Sequence, residues 1–462
     1  MRIAVAGAGL SGLSLCHALQ EKLESSGKRA EIVLLESEDR VGGKVRTERT
    51  DGYVMEWGPN GFLNNKPDTL ELCRKIGIEG LLLPSNDAAR KRFIYAGGRL
   101  HELNASTFVF GSLLSWGGKF RLLGELFVPK RTATSDETLA DFTRRRLGAE
   151  TLERLIGPMA SGIFGGDPET MSLKSCFPLI YNLERDYGGL FRGLFGKMRE
   201  KKKQAGQKSG PAGPGGVLTS FSGGLDVLTD SLRRAFKGEV LLKNPVLAVT
   251  QALGMKGFTI QSGSGETPIN ADVFVTASPA YAAAGFLAAL DPALPGTLSE
   301  IQYAPMAVVG LGYDKAKISH PLDGFGFLVG MKEGRRLIGT LYDSSVFKGR
   351  APEGKCSLRS MAGGGRDIRT PFFLDSEIKD LVLSELKIMM GIDAAPELVK
   401  IFRHEKAIPM YTVGHSDRLA KLDSMEVKYP GLFFAGNSFR GVGINDCVRD
   451  AYAVADKVMK VI

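Results

Sequence analysis

The first twelve residues, MRIAVAGAGLSG, place a short apolar run directly before three closely spaced glycines. The run predicts a buried β-strand, and Gly7, Gly9 and Gly12 predict a tight turn into a helix. Gly7 allows the sharp turn, Gly9 lets the backbone approach a phosphate, and Gly12 lets the helix lie close to the sheet. Because the start of that helix presents unpaired N–H groups and a positive dipole end, the motif indicates a site for a dinucleotide pyrophosphate.

Two features that follow this turn also favour a nucleotide. The second predicted strand, EIVLLE, ends in Glu36, where a carboxylate would bind an adenosine ribose hydroxyl. The next loop contains Arg40, Gly42, Gly43 and Lys44, a glycine pair between two positive charges that suits the support of a pyrophosphate. A strand-end acid and a glycine loop also occur in ordinary turns, so the kind of dinucleotide stays open at this point.

The far end of the chain repeats the strand-turn-helix pattern. Residues 431–454 contain an apolar strand, then Gly436, then a turn with Gly441 and Gly443, and then a predicted helix. FAD requires a second unit of this kind, because its isoalloxazine ring must be held as well as its pyrophosphate. The repeated pattern therefore favours FAD over NAD, although the first turn alone suits both.

Composition and charge limit the classes of function. The 462 residues carry a net charge of +9, which favours an anionic partner such as nucleic acid, an acidic membrane or a carboxylated substrate. No basic motif interleaved with aromatic residues favours nucleic acid. The five cysteines form no C-x-x-C pair and the five histidines no cluster, which predicts a reducing compartment and no metal. We expect a cytoplasmic protein, with peripheral attachment to the inner face of the cytoplasmic membrane as an alternative.

The middle of the chain predicts further domains. Residues 86–205 contain helical runs, the Gly/Pro-rich stretch 200–216 predicts a loop, and strand patterns return from residue 238. We expect an α/β fold in three parts. Their predicted boundaries are 1–85, 238–285 and 400–462 for a discontinuous, Rossmann-like FAD-binding domain, 86–205 for a helical subdomain, and 206–237 and 286–399 for a mixed α+β substrate domain.

Residues 106–131, within the helical subdomain, combine large apolar side chains with basic ones. The apolar residues are Phe108, Phe110, Leu113, Leu114, Trp116, Phe120, Leu122 and Leu123, and the basic ones are Lys119, Arg121, Lys130 and Arg131. Such a composition suits a helix at a membrane interface. It equally suits a helical subdomain that packs its apolar side inward, so both interpretations stay open.

Longer motifs carry a resemblance to a known family. GAGLSG, LLESEDRVGGK, EWGPNGF and LFFAGNSFRGVGINDCV resemble the FAD-dependent amine oxidase and phytoene desaturase superfamily, and within it the protoporphyrinogen oxidase family of haem biosynthesis. Narrower matches are RKRFIYAGGRLHELN, SGIFGGDPETMSLKSCFP, DGFGFLVG, LIGTLYDSS and AIPMYTVGH, which follow in family order over nearly the whole chain. The resemblance implies an FAD oxidoreductase that removes six electrons from a tetrapyrrole in three flavin cycles, with dioxygen as acceptor.

The resemblance also implies roles for individual residues. The FAD contacts that it implies are Gly7, Gly9, Gly12, Glu36, Arg40, Gly42, Gly43, Lys44, Gly58, Pro59, Val246, Gly436 and Val442. The substrate contacts that it implies are Arg92, Asn60, Phe325, Leu328, Leu341 and Met361. Among these, Arg92 would pair with a propionate carboxylate. Gly162 has the catalytic position, because its carbonyl would face the reacting methylene carbon and a side chain there would obstruct the approach.

Several alternatives stay open. Departures from the family pattern at Ser161, Met410 and Phe439 leave the choice between protoporphyrinogen IX and coproporphyrinogen III undecided. Another flavin amine oxidase or a carotenoid desaturase is a second alternative. An amine oxidase would often attach its flavin through a cysteine near the C-terminal motif, whereas residues 436–438 read GNS, so we expect non-covalent FAD. A non-catalytic escort protein would be expected to lose its flavin contacts, yet both glycine turns are present.

The expected partners follow from the same resemblance. They are a tetrapyrrole substrate and dioxygen, with a membrane surface and a second copy in a homodimer as further alternatives. Nucleic acid is not expected.

Overall fold

The computed structural model describes residues 1–133, 135–203, 216–252, 257–263 and 267–462. The loop predicted at 200–216 lies outside these ranges between residues 204 and 215. Its first residues, 200–203, belong to a helix that ends at Lys203.

The strands and helices alternate along much of the chain. The strands are β1 Arg2–Ala6, β2 Glu31–Leu35, β3 Thr47–Thr50, β4 Tyr53–Glu56, β5 Phe62–Leu63, β6 Leu82–Pro84, β7 Arg92–Ala96, β8 Arg99–Glu102, β9 Leu218–Phe221, β10 Glu239–Leu241, β11 Val246–Gln251, β12 Phe258–Ser262, β13 Ile269–Ala271, β14 Val273–Thr276, β15 Tyr303–Asp314, β16 Gly326–Val329, β17 Leu337–Leu341, β18 Lys355–Gly363, β19 Leu398–Pro409 and β20 Leu432–Phe434. The helices are α1 Leu10–Ser26, α2 Pro67–Lys75, α3 Ala105–Phe110, α4 Trp116–Leu123, α5 Leu139–Arg146, α6 Ala149–Thr151, α7 Gly157–Phe164, α8 Leu173–Cys176, α9 Pro178–Tyr187, α10 Leu190–Lys203, α11 Asp226–Ala235, α12 Ala280–Phe286, α13 Ala293–Ser299, α14 Asp343–Val346, α15 Asp375–Met390, α16 His415–Lys428 and α17 Ile444–Val461.

A five-stranded parallel sheet joins the two ends of the chain, in the order β10-β2-β1-β14-β20. Its strands are short apolar runs, as expected for parallel strands that are covered on both faces. Ile3 and Val5 pack towards α1, α11 and α17, whereas Ala4 and Ala6 pack towards α12, α13 and α16. The side chains of β1 alternate between two cores because successive strand residues point to opposite faces.

A seven-stranded mixed sheet forms the second large unit, in the order β19-β15-β18-β17-β16-β7-β8. Helix α15 covers one face, where Val382 and Leu386 pack with Leu311 and Leu358. On another surface of this unit, residues of β15 and β19 pack with β4 in a separate cluster that includes Met55. The mixed sheet therefore packs next to the loop that follows β4, at residues 57–61.

Strand pairing and helix packing join three segments to other units than the predicted domain boundaries assign them to. Strands β7 and β8, placed in the helical subdomain by the prediction, form one edge of the mixed sheet, and β19, assigned to the FAD-binding domain, forms the other edge. Helix α11 packs Leu228 and Leu232 against the core of the parallel sheet rather than the substrate side. Pairing between distant strands depends on register and burial, which local sequence patterns do not encode. The remaining boundaries stay predictions.

The helical part comprises α3 to α10 and contains a buried charged cluster. Arg146 is fully buried, with Nη2 lying 2.7 Å from Glu125 Oε1 and Nη1 lying 3.0 Å from Glu184 Oε1. A buried arginine is tolerated only when its donors are satisfied, so this cluster ties the segment after α4 to α5 and α9. None of the helices in the described ranges has the length and hydrophobicity needed to cross a membrane.

The predicted fold class is confirmed. The chain is an α/β protein with a parallel, Rossmann-like sheet assembled from distant segments, a mixed α+β unit and a helical part.

Candidate functional site

The N-terminal glycine turn has a different steric constraint at each glycine. Gly7 has φ +101°, and its N–H donates to the carbonyl of Leu35 (2.7 Å) on the neighbouring strand. A Cβ at Gly12 would lie 1.9 Å from the carbonyl oxygen of Gly7, so any side chain there would displace α1. A Cβ at Gly9 would meet nothing within 4 Å. The N-terminus of the 17-residue helix α1 therefore faces open space beside Gly9, as an anion site requires.

The second glycine loop lies directly on this turn. The N–H of Gly42 donates to the carbonyl of Ala8 (2.8 Å), and a Cβ at Gly43 would lie 3.2 Å from Gly9 Cα. Both residues have positive φ, which glycine adopts without strain, and the missing side chains allow the close approach. The Arg40 guanidinium donates to the carbonyls of Val41 (3.0 Å) and Gly43 (2.8 Å), so it holds the loop itself.

Glu36 ends β2 beside the first turn. Its Oε2 accepts from the N–H of Ala8 (2.7 Å) and its Oε1 from the N–H of Glu38 (2.9 Å). The backbone carbonyl of Glu36 also accepts from the N–H of Asn244 (2.8 Å), two residues before Val246. The structure thus brings together Glu36 and the start of β11, where Val246 is half-buried, as a shared adenosine site would need.

The Lys44 side chain reaches away from the loop that carries it. Its Nζ donates to the carbonyls of Lys406 (2.6 Å) and Ala407 (2.5 Å) on β19. No carboxylate of the described residues lies within ion-pair distance, and burial lowers the pKa of Lys44 to about 8. The ammonium also lies 5.1 Å from the ring centroid of Tyr303. A half-buried cation without a carboxylate partner is costly, so the site suits an anionic ligand.

The loop at residues 58–60 is held between the glycine loop and the mixed sheet. A Cβ at Gly58 would lie 2.8 Å from the carbonyl oxygen of Lys44, and the Gly58 carbonyl accepts from Arg359 Nη1 (2.7 Å). Pro59 is half-buried, and Asn60 Nδ2 donates to Asp343 Oδ1 (3.3 Å).

Two buried residues that the sequence analysis missed support this loop. Asp343 and Arg359 are almost completely buried, and Arg359 Nε lies 3.0 Å from Asp343 Oδ2, although its N–H is not directed at that oxygen. The pairing of Leu341 with Arg359 across β17 and β18 brings the two charges together. No local pattern signals a pair whose members are joined only by strand register.

The C-terminal turn meets the N-terminal one. Gly436 has φ +107°, its N–H donates to Asp450 Oδ2 (2.8 Å), and a Cβ there would lie 3.4 Å from Ser11. Val442, further along this turn, packs against the core of the helical part, which includes Phe164. The turn therefore lies between the parallel sheet and the helical part.

Tyr411 and His415 lie beneath this turn, and neither was assigned a role from the sequence, although both belong to the motif AIPMYTVGH. The Tyr411 hydroxyl donates to the carbonyl of Asn437 (2.6 Å) and accepts from the N–H of Gly441 (2.8 Å). The His415 ring stacks on Tyr411 with centroids 4.0 Å apart, and its Nε2 lies 2.9 Å from the carbonyl of Phe439. Burial lowers the pKa of His415 to about 4, so its imidazole is neutral near pH 7.

The predicted pocket wall is half-buried. Phe325, Leu328, Leu341 and Met361 all have this intermediate exposure, which suits the lining of a pocket better than a closed core. A Cβ at Gly162 would lie 2.6 Å from Leu328 Cδ2, so the missing side chain lets α7 pack against β16. The structure thus places the predicted catalytic glycine in contact with a predicted wall residue.

Arg92 begins β7 and differs from its two basic neighbours. Arg90 pairs with Asp87 and Lys91 pairs with Asp323, whereas no carboxylate of the described residues lies within ion-pair distance of Arg92. Its guanidinium carbon lies 5.1 Å from the ring centroid of Phe325, and the side chain is exposed. Arg92 is therefore a cation available to an external carboxylate beside an apolar wall.

The residues present fit FAD. The strand-end carboxylate of Glu36 and the returning turn at Gly436 both adjoin the open helix N-terminus beside Gly9, and the loop next to this turn carries the half-buried Lys44. The sequence pattern of the family described as flavin containing amine oxidoreductase matches residues 10–459. The chain belongs to this family.

Relatives narrow the assignment within the flavin oxidoreductases. The chain is 32% identical to a chloroplastic protoporphyrinogen oxidase of Oryza sativa subsp. japonica, over 98% of this chain and 87% of that protein. It is 29% identical to the coproporphyrinogen III oxidase of Bacillus subtilis, over 99% of this chain and 97% of that protein. A solved structure from Exiguobacterium sp., assigned as a protoporphyrinogen oxidase, superposes with a TM-score of 0.83 at 27% identity, covering 99% of this chain and 98% of the other.

These findings confirm four predictions. The chain is an FAD oxidoreductase of the flavin-containing amine oxidoreductase family, and it belongs to the protoporphyrinogen and coproporphyrinogen oxidase group, with the predicted enzyme class and cofactor. The roles of the individual site residues stay predictions.

Proposed function

We propose that this flavoprotein oxidises protoporphyrinogen IX to protoporphyrin IX. The reaction removes six electrons and six hydrogens in three cycles, and each cycle reduces one dioxygen to hydrogen peroxide. The observation that carries the proposal is the position of Arg92 beside Phe325, at the edge of a half-buried apolar wall and beyond ion-pair distance of every carboxylate in the described ranges. A flat apolar macrocycle with carboxylate substituents has the shape and charge for such a site.

In this proposal the chain orients the substrate and leaves the redox chemistry to the cofactor. Bound FAD supplies a two-electron acceptor. Leu328, Leu341 and Met361 contact the macrocycle, and Arg92 binds a propionate. The backbone carbonyl of Gly162 faces the reacting carbon, and the absence of a side chain there lets Leu328 pack against α7. Arg359 and Asp343 hold the loop that carries Gly58 and Asn60 between substrate and cofactor.

We propose that FAD is bound non-covalently, and the environment of Cys447 beside the C-terminal turn supports this. Cys447 is the cysteine beside this turn, and its buried thiol lies 3.9 Å from the carbonyl oxygen of Gly441. Burial raises the pKa of Cys447 to about 12, so it stays a thiol and is a poor nucleophile near pH 7.

Coproporphyrinogen III is the second candidate substrate. The full-length similarity to the Bacillus subtilis coproporphyrinogen III oxidase favours it, and the apolar wall would accept either macrocycle. The two substrates differ in their number of carboxylates, so side-by-side measurement separates them.

The experiment measures oxygen uptake and porphyrin fluorescence with both porphyrinogens, for the wild type and for Arg92→Ala. We expect the variant to raise KM by about tenfold or more, because a charge-assisted hydrogen bond contributes roughly 1.5–3 kcal/mol. Arg90→Ala is the matched control, because Arg90 is exposed but already paired with Asp87. Absence of turnover with both substrates would refute the proposed function. Equal losses of FAD and porphyrinogen binding in Arg92→Ala would remove its role.

We also propose a peripheral membrane contact through an exposed apolar surface of the helical part. Five large apolar side chains of this part are each more than 60% exposed, namely Phe110, Trp116, Phe120, Leu123 and Phe127. Large exposed apolar patches mark sites of interaction with proteins or membranes. Leu113 and Leu114 are buried, so this part of residues 106–131 packs inward, as expected for a helical subdomain with an apolar inner side. The side chain of Phe108 lies outside the described part of the chain.

A further inference from the structure

One hydroxyl group joins the two ends of the C-terminal turn. Tyr411 is 2% exposed, and its oxygen both donates to Asn437 and accepts from Gly441. A phenol has one O–H donor and can also accept at the same oxygen, so the hydroxyl makes both bonds at the same time. The turn between residues 437 and 441 has no strand or helix of its own, and the N–H groups of Phe439 (3.1 Å) and Arg440 (3.4 Å) donate to the Gly436 carbonyl. The Tyr411 hydroxyl adds a link from outside the turn that joins its two ends.

His415 supports the same turn from the adjacent position. Its Nε2 bonds the Phe439 carbonyl at the middle of the turn, which requires the proton on Nε2. The other nitrogen, Nδ1, is buried without a hydrogen-bond partner in the described part of the chain. Protonation would bury an unpaired N–H, so the imidazole stays neutral and the stacked pair acts as a rigid support.

The segment that carries Tyr411 is itself fixed from the opposite side. The carbonyl of Tyr411 accepts from the N–H of Ser172 (2.8 Å) and from Cys176 Sγ (3.4 Å), both in or next to α8. The N–H of Val413 donates to the carbonyl of Thr170 (3.1 Å). Tyr411 is therefore held by the helical part at its backbone and holds the turn with its side chain.

We propose that Tyr411 is a positioning residue for the flavin, acting through the backbone of Asn437 and Gly441. The inference rests on the proposed function and on the predicted FAD contacts at Gly436 and Val442, which flank residues 437–441. Removal of the hydroxyl lets the turn widen, and the turn amides then lose their fixed orientation towards the ring. The affinity for FAD and the redox potential of the bound flavin both depend on that orientation.

The test compares Tyr411→Phe with Tyr429→Phe in the full-length holoenzyme. Tyr429 is a matched control, because it is also buried and its hydroxyl lies within hydrogen-bond distance of the Leu290 carbonyl (3.1 Å) and Asp291 Oδ2 (3.0 Å), next to the C-terminal end of α16. For Tyr411→Phe we expect about a tenfold rise in the Kd for FAD, a shifted flavin absorption spectrum and a changed midpoint potential. For Tyr429→Phe we expect a lower Tm with an unchanged Kd and potential.

Two outcomes would overturn the inference. One is a Tyr411→Phe enzyme whose Kd for FAD stays within twofold of the wild type and whose potential is unchanged. The other concerns the wild type and needs no variant: the Gly441 amide of the FAD-free protein should exchange slowly with solvent, and exchange at the rate of an exposed amide would contradict the cross-link. A wild type that binds FAD without oxidising porphyrinogens would instead refute the proposed function. The Kd for FAD, the midpoint potential and the amide exchange would still test the role of Tyr411 in that case.

Discussion

At the scale of single residues, Lys44 shows how burial and charge oppose each other in this site. Its ammonium has two carbonyl partners on β19, and His404, whose Nε2 bonds the Trp57 carbonyl, lies near enough to add repulsion when charged. Two carbonyl groups stabilise an ammonium less than a carboxylate would, so they do not offset the loss of solvation. Burial therefore lowers the pKa of Lys44 to about 8. An anionic ligand near Lys44 would supply the missing counter-charge.

This charge balance predicts that FAD binding depends on pH. Below pH 8 Lys44 is charged in the free protein, and the pyrophosphate binds without proton uptake. Above pH 8 the free lysine is neutral and binding must add a proton, so the affinity falls by up to about tenfold per pH unit. Titration of the FAD-free protein between pH 6.5 and 9.5 should show this decline in the wild type. Lys44→Met should bind more weakly at pH 7 and show no decline.

Lys406→Met is the control for this prediction, because Lys406 is exposed and contributes only its carbonyl to Lys44. It should keep the wild-type pH dependence. Parallel pH profiles for the wild type and Lys44→Met would rule out a contact between Lys44 and the cofactor.

At the scale of elements, the turn from β1 into α1 contains one glycine required for packing, Gly12, and one expected to be required for binding, Gly9. The Cβ of an alanine at position 12 would collide with the Gly7 carbonyl, and Gly7 is fixed to the neighbouring strand by the bond from its N–H to Leu35. The Cβ of an alanine at position 9 would enter open space in front of the helix N-terminus, at φ −71°, which any residue adopts. Two glycines of one motif therefore have different physical requirements.

This difference predicts distinct phenotypes for two alanine variants. Gly12→Ala should lower the free energy of unfolding of the FAD-free protein by about 1–3 kcal/mol, because the helix must move. Gly9→Ala should leave that stability unchanged and weaken FAD binding, because the methyl group occupies the space for the phosphate. Denaturant unfolding of the FAD-free variants and FAD titration test both. Loss of stability in Gly9→Ala with normal FAD affinity would contradict this account.

At the scale of the whole molecule, the exposed apolar surface extends over several helices. Leu190 and Phe191 of α10 donate their N–H groups to Glu125, which brings the exposed Leu194 and Phe195 to the same part of the molecule as Phe127. The Lys119 ammonium lies 4.5 Å from the ring centroid of Trp116 in this surface, and the net charge of the chain is +9. Apolar side chains flanked by cations favour a membrane with anionic lipids.

The surface predicts a measurable change in membrane partitioning. The double variant with Trp116→Ser and Phe120→Ser should be released from anionic liposomes in a sedimentation assay, because each aromatic loses roughly 2 kcal/mol or more of apolar burial. Val427→Ser is the control, because Val427 is 80% exposed on α16, outside this surface. Unchanged partitioning of the double variant would favour ordinary packing for this region.

The sequence alone determined the features that depend on neighbouring residues. Three glycines after an apolar run specify the turn at Gly7 and the tight contact at Gly12, because steric limits on the backbone act within a few residues. The repeated turn at Gly436 predicts FAD, because FAD needs a second unit that holds its isoalloxazine ring. Helical and strand patterns likewise predict the α/β class.

Only the tertiary structure decided which distant groups meet. Tyr411 lies 26 residues from Asn437, and Arg359 lies 301 residues from Gly58, yet both bond those backbones. Residues 92–102 join the mixed sheet because strand register brings Arg92 beside Gly326. Such contacts depend on register and burial over the whole chain, which no local pattern records. The sequence therefore predicts where the flavin turns lie, and the tertiary structure decides what holds them in place.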